Sequence, residues 1–339
     1  MISKELAAKL GLSAATVSLA LNNRPGVSPV TRARVMEEAY RCGMIAENML
    51  PGHPKRILFL KYRKNGQGSN RSYFAQIFSG VIEGVEQQTR NKGCELSIRT
   101  ADAEDLTDVL QRMDSEEVSG LIVLATEMEE EQMLQLDRLP YPVVLLDNYC
   151  ERTDLPCVMI NNEQGVELAV QYLIQHGHRD IGYIHVEGDA VNFRERCIGF
   201  YRSMMLHQLP VREENVIRFS TLYGGEAVFW ELRKKLENRK TMPTAFAADN
   251  DIVAVYAIKV LRELGFRIPE DVSIIGFDNI PVAEWTDPPL TSICTSRHEL
   301  GGCAVNQLID RMQNELQGIQ KIALKTWLVE RKSVRDIRG

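Results

Sequence analysis

The stretch SKELAAKLGLSAATVSLALN, residues 3–22, decides how the chain is read. Ser3 is placed to cap a first helix reaching about Leu10, with Leu6, Ala7 and Leu10 as its apolar stripe, and Gly11 permits the sharp turn that ends it. Ser13 opens a second helix over residues 14–22, in which Val17, Ala20 and Leu21 recur at helical spacing and can pack on the first. Two short helices about a glycine turn are a helix-turn-helix candidate. Past residues 23–26, Ser28 followed by Pro29 signals the start of a third helix, running to about Cys42 with Val35, Met36 and Ala39 as its apolar face. By pattern alone, a helical bundle docked on the rest of the chain would read the same way.

A net charge of -6 would by itself argue against a nucleic-acid partner, so the distribution of charge matters more than its total. Residues 1–46 carry Lys4, Lys9, Arg24, Arg32, Arg34 and Arg41 against Glu5, Glu37 and Glu38, a net of +3, whereas the whole 339-residue chain sums to -6 and the remainder therefore to -9. A basic head on an acidic body concentrates phosphate attraction at one end. The length exceeds one ordinary domain, and 44% hydrophobic with 25% charged residues suits a globular chain of two or three lobes. No apolar run approaches the roughly 18 residues of a membrane span, and the N-terminus lacks the apolar core of a secretory signal, so the cytoplasm is the expected compartment. Seven scattered cysteines without a Cys-x-x-Cys pair suit reduced core residues. His176 and His178 flank Gly177 beside Arg179 and read as a helix end, so neither metal nor cofactor is expected.

From Arg56 onward, short apolar runs at residues 57–60, 95–98, 121–124 and 143–146 alternate with amphipathic stretches. The pattern restarts after Asn161-Asn162, with strands near residues 181–185, 216–219, 246–248 and 272–276. Such alternation predicts parallel strands with crossover helices in two doubly wound lobes, which bind ligands at the carboxyl ends of their strands. No nucleophile elbow, metal-binding helix motif or phosphate loop is present, and the Gly66-x-Gly68 pair reads as a surface loop, so the chain reads as a binder rather than an enzyme.

The run 5–13, then Thr16-Val17-Ser18, Leu21-Asn22 and Val27-Ser28-x-x-Thr31-Arg32-x-Arg34-Val35, closely resembles the DNA-binding head of the lactose-repressor (LacI/GalR) family. The resemblance implies that the second helix enters the major groove with Ser13, Ala14, Ala15 and Ser18 facing the bases and Thr16 and Thr31 on the backbone, and that Leu19, Asn22 and Arg32 belong to the same surface. Leu19 stands where the family usually has arginine, so a bidentate guanine contact of about 1 to 3 kcal/mol is absent there. Ala14 and Ala15 offer only methyl contacts. In the linker, Met44-Ile45-Ala46-Glu47-Asn48-Met49-Leu50-Pro51-Gly52-His53-Pro54 replaces the family's hinge-helix sequence, and Pro51, Gly52 and Pro54 oppose a continuing helix.

The body resembles the family's periplasmic-binding-protein-like sensor, through Gly177-His178-Arg179-x-Ile181-Gly182-Tyr183-Ile184, Asn250-Asp251, residues 269–279 and Pro288-Pro289-Leu290-Thr291. The expected fold is thus a small all-α helix-turn-helix head plus an α/β body of two doubly wound parallel-sheet lobes. Its divisions are a head at 1–46, a shortened linker at 47–55, an N-lobe at 56–162 plus 291–321 and a C-lobe at 163–290 plus 322–339. By the same resemblance, a small-molecule effector held between the lobes would meet Tyr73, Phe74, Asp147, Arg196, Asn250 and Asp278. Carboxylates that accept from hydroxyls, a forked arginine and an aromatic face suit a sugar or sugar-like ligand. Residues 64–70 and Asn161 depart from the family pattern near that site. Function is expected to be transcriptional regulation, as a repressor, by a homodimer on a palindromic operator in double-stranded DNA. A helix over residues 78–90 and the stripe Val305, Leu308, Ile309, Met312 and Leu316 would either pair copies or cover their own sheet. The competing classes are a solute-binding receptor, which would carry an export signal and no basic head, a sugar-modifying enzyme, and a sensor with degenerate DNA binding.

Overall fold

The computed structural model describes residues 2–22, 24–45, 50, 55–64, 71–114, 118–188, 190–219, 226–239, 241–313 and 318–338. Helices α1 (Ile2–Leu10), α2 (Ala14–Leu21) and α3 (Pro29–Arg41) form the head. Ser13 and Ser28 cap α2 and α3 as the sequence predicts, their hydroxyls accepting from the Thr16 and Thr31 N–H groups, and Pro29 occupies the first turn of α3. Helix α1 starts at Ile2, so Ser3 lies inside the first turn rather than at the cap. Leu6, Ala7, Val17, Ala20, Val35 and Ala39 form the head's core. A core of six mainly small side chains buries little area, and polar clasps add to it: Lys9 Nζ lies 2.5 Å from Glu38 and ties α1 to α3. The linker residues 46–49 and 51–54, and with them the expectation of a weakened hinge, lie outside the described residues.

The body continues with β1 (Arg56–Arg63), α4 (Arg71–Asn91), β2 (Glu95–Asp102), α5 (Leu106–Asp114), β3 (Gly120–Leu124), α6 (Glu130–Leu136), β4 (Val143–Leu146) and β5 (Cys157–Ile160). Then come α7 (Asn162–Gln175), β6 (Ile181–Val186), α8 (Val191–Leu206), β7 (Val216–Phe219), α9 (Glu226–Leu236), β8 (Ala245–Ala248) and α10 (Asp251–Glu263). The chain closes with β9 (Ser273–Asp278), α11 (Val282–Trp285), β10 (Thr291–Thr295), α12 (Arg297–Met312), β11 (Lys321–Leu324) and β12 (Thr326–Val329). Among the described helices, none is long and apolar enough to cross a membrane.

Two six-stranded sheets result, ordered β11-β5-β4-β3-β1-β2 and β12-β10-β9-β8-β6-β7. In the first, β1 pairs in parallel with β2 and β3, and β3 with β4. The second is parallel from β10 to β7, with β12 added antiparallel at its edge. Strands β3, β4 and β8 are buried at every position, which is why they read as unbroken apolar runs instead of alternating ones.

By contacts the chain divides into one unit of Met1–Gly66, Glu83–Cys157 and Gly301–Lys321 and a second of Gln67–Ile82, Val158–Leu300 and Ile322–Gly339. The sequence reading put residues 291–321 in the first lobe, but β10 pairs with β9, setting Thr291 opposite Ile275, and so lies in the second sheet. The start of α4 also groups with the second unit, because Gly80 packs against Arg297: a Cβ at Gly80 would lie 3.3 Å from that of Arg297. In the first unit Val305, Leu308 and Ile309 are buried, and Leu308 and Met312 reach over Gly120 of β3. That stripe therefore covers its own sheet. Leu316 lies outside the described residues.

The C-terminal segment stitches the second unit together. Ile274 and Ser333 exchange backbone and side-chain hydrogen bonds, and buried His178 is held between the Thr244 hydroxyl at 2.9 Å and the Arg335 carbonyl at 3.0 Å. His178 is thus a core histidine, and burial lowers its pKa. Gly276 of β9 has no room for a side chain, since a Cβ there would fall 2.2 Å from Asp251 Oδ1 and 2.9 Å from Leu290. We expect Gly276→Ala to destabilise the fold by about 1–3 kcal/mol through this overpacking. Urea unfolding checks it, and an unchanged midpoint would contradict the packing described.

Candidate functional site

Two regions carry function-like chemistry, the outer face of α2 and the carboxyl ends of the strands. On α2, Val17 and Ala20 turn into the head core, which leaves Ser13, Ala14, Ala15, Ser18 and Asn22 exposed on the opposite side. Residues 14, 18 and 22 repeat every four positions, so these side chains form one continuous strip. Thr16 is half-buried, its hydroxyl 2.8 Å from that of Ser13, and Thr31 pairs identically with Ser28. Asn22 caps the helix end, donating to the Ser18 carbonyl at 2.8 Å. Leu19 is half-buried against the loop at Gly26, 3.8 Å from where a Cβ there would sit.

Arg32 turns inward to α2. Its guanidinium donates to the Ala20 carbonyl at 3.2 Å, the Leu19 carbonyl at 3.5 Å and, just past the helix, the Arg24 carbonyl at 2.6 Å, and so sits at the C-terminus of α2 where a cation is favoured. Lys9 and Arg41 pair with Glu38, and Arg41 also with Glu37. Among the described residues this leaves Arg24 and Arg34 as exposed head cations with no carboxylate partner.

In the second unit, strands β6, β8 and β9 deliver polar residues to one end of the sheet. Arg196 of α8 is 4% exposed; its Nε donates to Asn162 Oδ1 at 2.9 Å, Nη1 to the Asp249 carbonyl at 2.5 Å and Nη2 to Asp278 Oδ1 at 3.2 Å. The guanidinium lies 3.9 Å from the centre of the Phe277 ring, a cation–π contact in a desolvated setting. Arg297 at the start of α12 approaches the same Asp278 oxygen at 2.9 Å. Asp278 adopts φ 100°, a left-handed conformation costly for a non-glycine residue and sustained here by the two arginines. Asn250 is the N-cap of α10, its Oδ1 accepting from the Val253 N–H at 2.9 Å. Asn162 also donates to Asn192 at 2.8 Å and to Glu195 at 2.9 Å.

Two further carboxylates lie in this unit. Asp249 accepts from the Tyr183 hydroxyl, from the Val186 N–H at 2.5 Å and from His185 Nδ1 at 2.8 Å. Burial opposes a charged His185, but hydrogen bonds to Asp249 and Cys197 outweigh it and push the ring up to about 10. Burial, aided by the Asp278 charge and opposed by the hydrogen bond from Ser292, holds the Asp251 carboxyl at about 8.

In the first unit, Asp147 follows β4 with φ 65° and is 4% exposed, accepting from the Thr126 hydroxyl at 2.8 Å. Beside it Asn148 donates to the Ala125 and Met128 carbonyls, both at 2.8 Å. Lys321 Nζ sits 3.0 Å from the centre of the Tyr149 ring. Tyr73 and Phe74 lie in the first turns of α4, and their side chains are outside the described residues.

The structure thus brings Arg196 and Asp278 together, with Asn250 on the neighbouring strand end, and sets Asp147 at the corresponding end of the other sheet. It adds Asn162, Asp249 and Arg297, which sequence reasoning did not select. Asp249 carried a usable signal as the first polar residue after an apolar strand. Arg297 carried none, since it meets Asp278 only through the fold. Among the described residues no cluster of potential metal ligands occurs.

Comparison with known proteins bears on both regions. A periplasmic binding protein-like domain family matches residues 170–334. The chain is 32% identical over 343 residues to the HTH-type transcriptional repressor PurR of Klebsiella pneumoniae subsp. pneumoniae, covering 98% of this chain and 96% of that relative. Among solved structures it is similar to the transcriptional regulator CelR in complex with cellobiose, with a TM-score of 0.72, 26% identity, and coverage of 98% of this chain and 99% of the other. A lac repressor dimer bound to operator and an anti-inducer shares the fold, with a TM-score of 0.72 at 20% identity over 97% of this chain and 98% of the other.

The shifted groups set a pH dependence of stability. The folded pKa of His185, about 10, lies above the ordinary imidazole value, so its stabilisation is fully present below about pH 6.5 and is lost as pH rises through 10. Asp251, raised to about 8, acts in the same direction: protonated in the folded state, it withdraws stability as pH climbs from the ordinary carboxylate range through 8. Unfolding free energy is therefore expected to fall between pH 7 and pH 10, by up to about 1.4 kcal/mol per pH unit for each titrating group. His185→Gln should flatten that fall. Denaturant titrations at four pH values check this, and a flat profile in the unaltered protein would refute it.

Proposed function

This chain belongs to the lactose-repressor (LacI/GalR) family of transcriptional regulators, and from that premise we propose that it is a repressor that binds a near-palindromic operator as a homodimer and answers to a small-molecule effector, a sugar or sugar-like metabolite. It would work in the cytoplasm, as a binder rather than an enzyme. The observation that carries the reading is the outward strip of α2, where Ser13, Ala14, Ala15, Ser18 and Asn22 stand exposed on a helix held rigidly from behind. The major groove admits an α-helix, and the N-terminal residues of the strip are placed where a recognition helix reads base edges. With two alanines and no arginine on it, the strip supplies few hydrogen bonds to bases. Phosphate contacts and DNA shape then carry a larger share of affinity and discrimination.

Effector recognition would draw on the strand ends. Asp278 and Asp147 are buried acceptors held in fixed geometry, and Arg196 is a fork of donors braced from several sides. Such preorganised groups suit vicinal hydroxyls, each of which donates to a carboxylate while accepting from a guanidinium. Asn250, Tyr73 and Phe74 complete the proposed set.

Selection of genomic fragments by the purified protein at moderate salt tests the DNA reading. The expected product is a near-palindrome whose affinity falls about tenfold or more when Thr16 and Ser18 become alanine. Recovery of nothing above non-specific binding would leave a sensor without sequence recognition and overturn the proposal. Arg32 supplies a sharper check. Because it clasps the carbonyls of α2, Arg32→Met should weaken operator binding while leaving the slope of log K against log[salt] unchanged. A phosphate contact would instead reduce that slope by about 0.9 per head.

A further inference from the structure

Two consecutive non-glycine residues, Asp278 at φ 100° and Asn279 at φ 49°, turn the chain left-handed where β9 ends. A side chain disfavours that conformation, so the turn persists only where its surroundings hold it. Arg196 and Arg297 reach the Asp278 carboxylate at 3.2 and 2.9 Å and fix its side chain. The backbone of the turn is held by a different group. Asp251, the first residue of α10, has no exposed surface, and its Oδ2 accepts from the Ile280 N–H at 2.8 Å. Its Oδ1 accepts from the Ser292 hydroxyl at 2.5 Å, and Ser292 Oγ in turn accepts from the Asn279 N–H at 3.1 Å. Both amide hydrogens that follow Asp278 therefore lead to one carboxyl group.

The surroundings fit that task. The bare Gly276 of β9 leaves the space that Asp251 Oδ1 occupies. Among the described residues Asp251 forms no ion pair, and the two guanidinium groups nearby are engaged with Asp278. The titratable and charged groups that face it are Asp278 at the end of β9, Cys294 of β10 and Arg297 of α12, with Arg196 of α8 beyond Asp278. Burial, opposed by the Ser292 hydrogen bond and aided by the Asp278 charge, keeps the Asp251 carboxyl protonated at neutral pH. A neutral carboxyl holds the turn without competing with Asp278 for the arginines.

We propose that Asp251 is a positioning residue of the effector site: through the Ile280 N–H and Ser292 it sets the left-handed turn that presents the Asp278 carboxylate to Arg196 and Arg297. Fully buried, it touches no ligand and acts through Asp278. That Asp278 meets an effector belongs to the function proposed above. The turn itself can be followed with no effector present, so a failure to find one and a failure of this assignment are separate results.

The test follows backbone amides of the nitrogen-15-labelled full chain by nuclear magnetic resonance between pH 6.5 and pH 9.5. The Asn279 and Ile280 signals are expected to move together with a midpoint near 8 and to stay in place in Asp251→Asn, with the amides of β3 as reference. At pH 6.5 an asparagine keeps an acceptor for the Ile280 N–H and an alanine does not. Hydrogen exchange at Asn279 and Ile280 is therefore expected to be about tenfold faster in Asp251→Ala than in Asp251→Asn, with β6 equal in the two. If the alanine variant unfolds or speeds exchange in β6 as well, Ser292→Ala decides, with about threefold faster exchange at Asn279 than in the unaltered protein. Signals that do not titrate near 8, a titration that persists in Asp251→Asn, or equal exchange at Asn279 with and without the Ser292 hydroxyl would overturn the proposal.

Discussion

A guanidinium removed from water must have its charge answered and its N–H groups met, and Arg196 imposes that demand on the second unit. Three separate segments meet it: Asn162 at the start of α7, the Asp249 carbonyl after β8 and the Asp278 carboxylate ending β9. Phe277 closes over its face. Removing one partner of a buried pair typically costs about 3–5 kcal/mol because the other charge is stranded, so these strand ends hold position as a set. The left-handed turn at Asp278 lies within the same constraint. A cluster built this way holds its donors and acceptors in fixed relation to one another.

The head solves a different problem. Its core is too small to hold three helices by apolar burial alone, and polar clasps make up part of the difference. Lys9 with Glu38 joins α1 to α3, and Arg32 joins α3 to the C-terminus of α2. These contacts use basic residues that composition alone would assign to DNA. Of the head's six cations, Lys9, Arg32 and Arg41 are thus committed within it, and Arg24 and Arg34 stand clear among the described residues. The exposed strip on α2 is likewise made of short side chains, two of them alanines.

Local sequence was sufficient wherever a structural decision is local. Ser13 and Ser28 cap helices because a hydroxyl before a helix satisfies an orphan N–H whatever else surrounds it, and apolar runs of four or five residues became buried parallel strands because both faces of such sheets are covered. Family resemblance pointed to Arg196 and Asp278, which the structure brings into contact. What only the tertiary structure decided concerns residues distant in sequence. Residues 291–295 joined the second sheet through pairing with β9, Arg32 met the carbonyls at the end of α2, and Arg297 met Asp278 across the fold. Side-chain chemistry and helix or strand period are written in adjacent residues, whereas which donor meets which acceptor depends on how separate elements pack, and no local pattern encodes that.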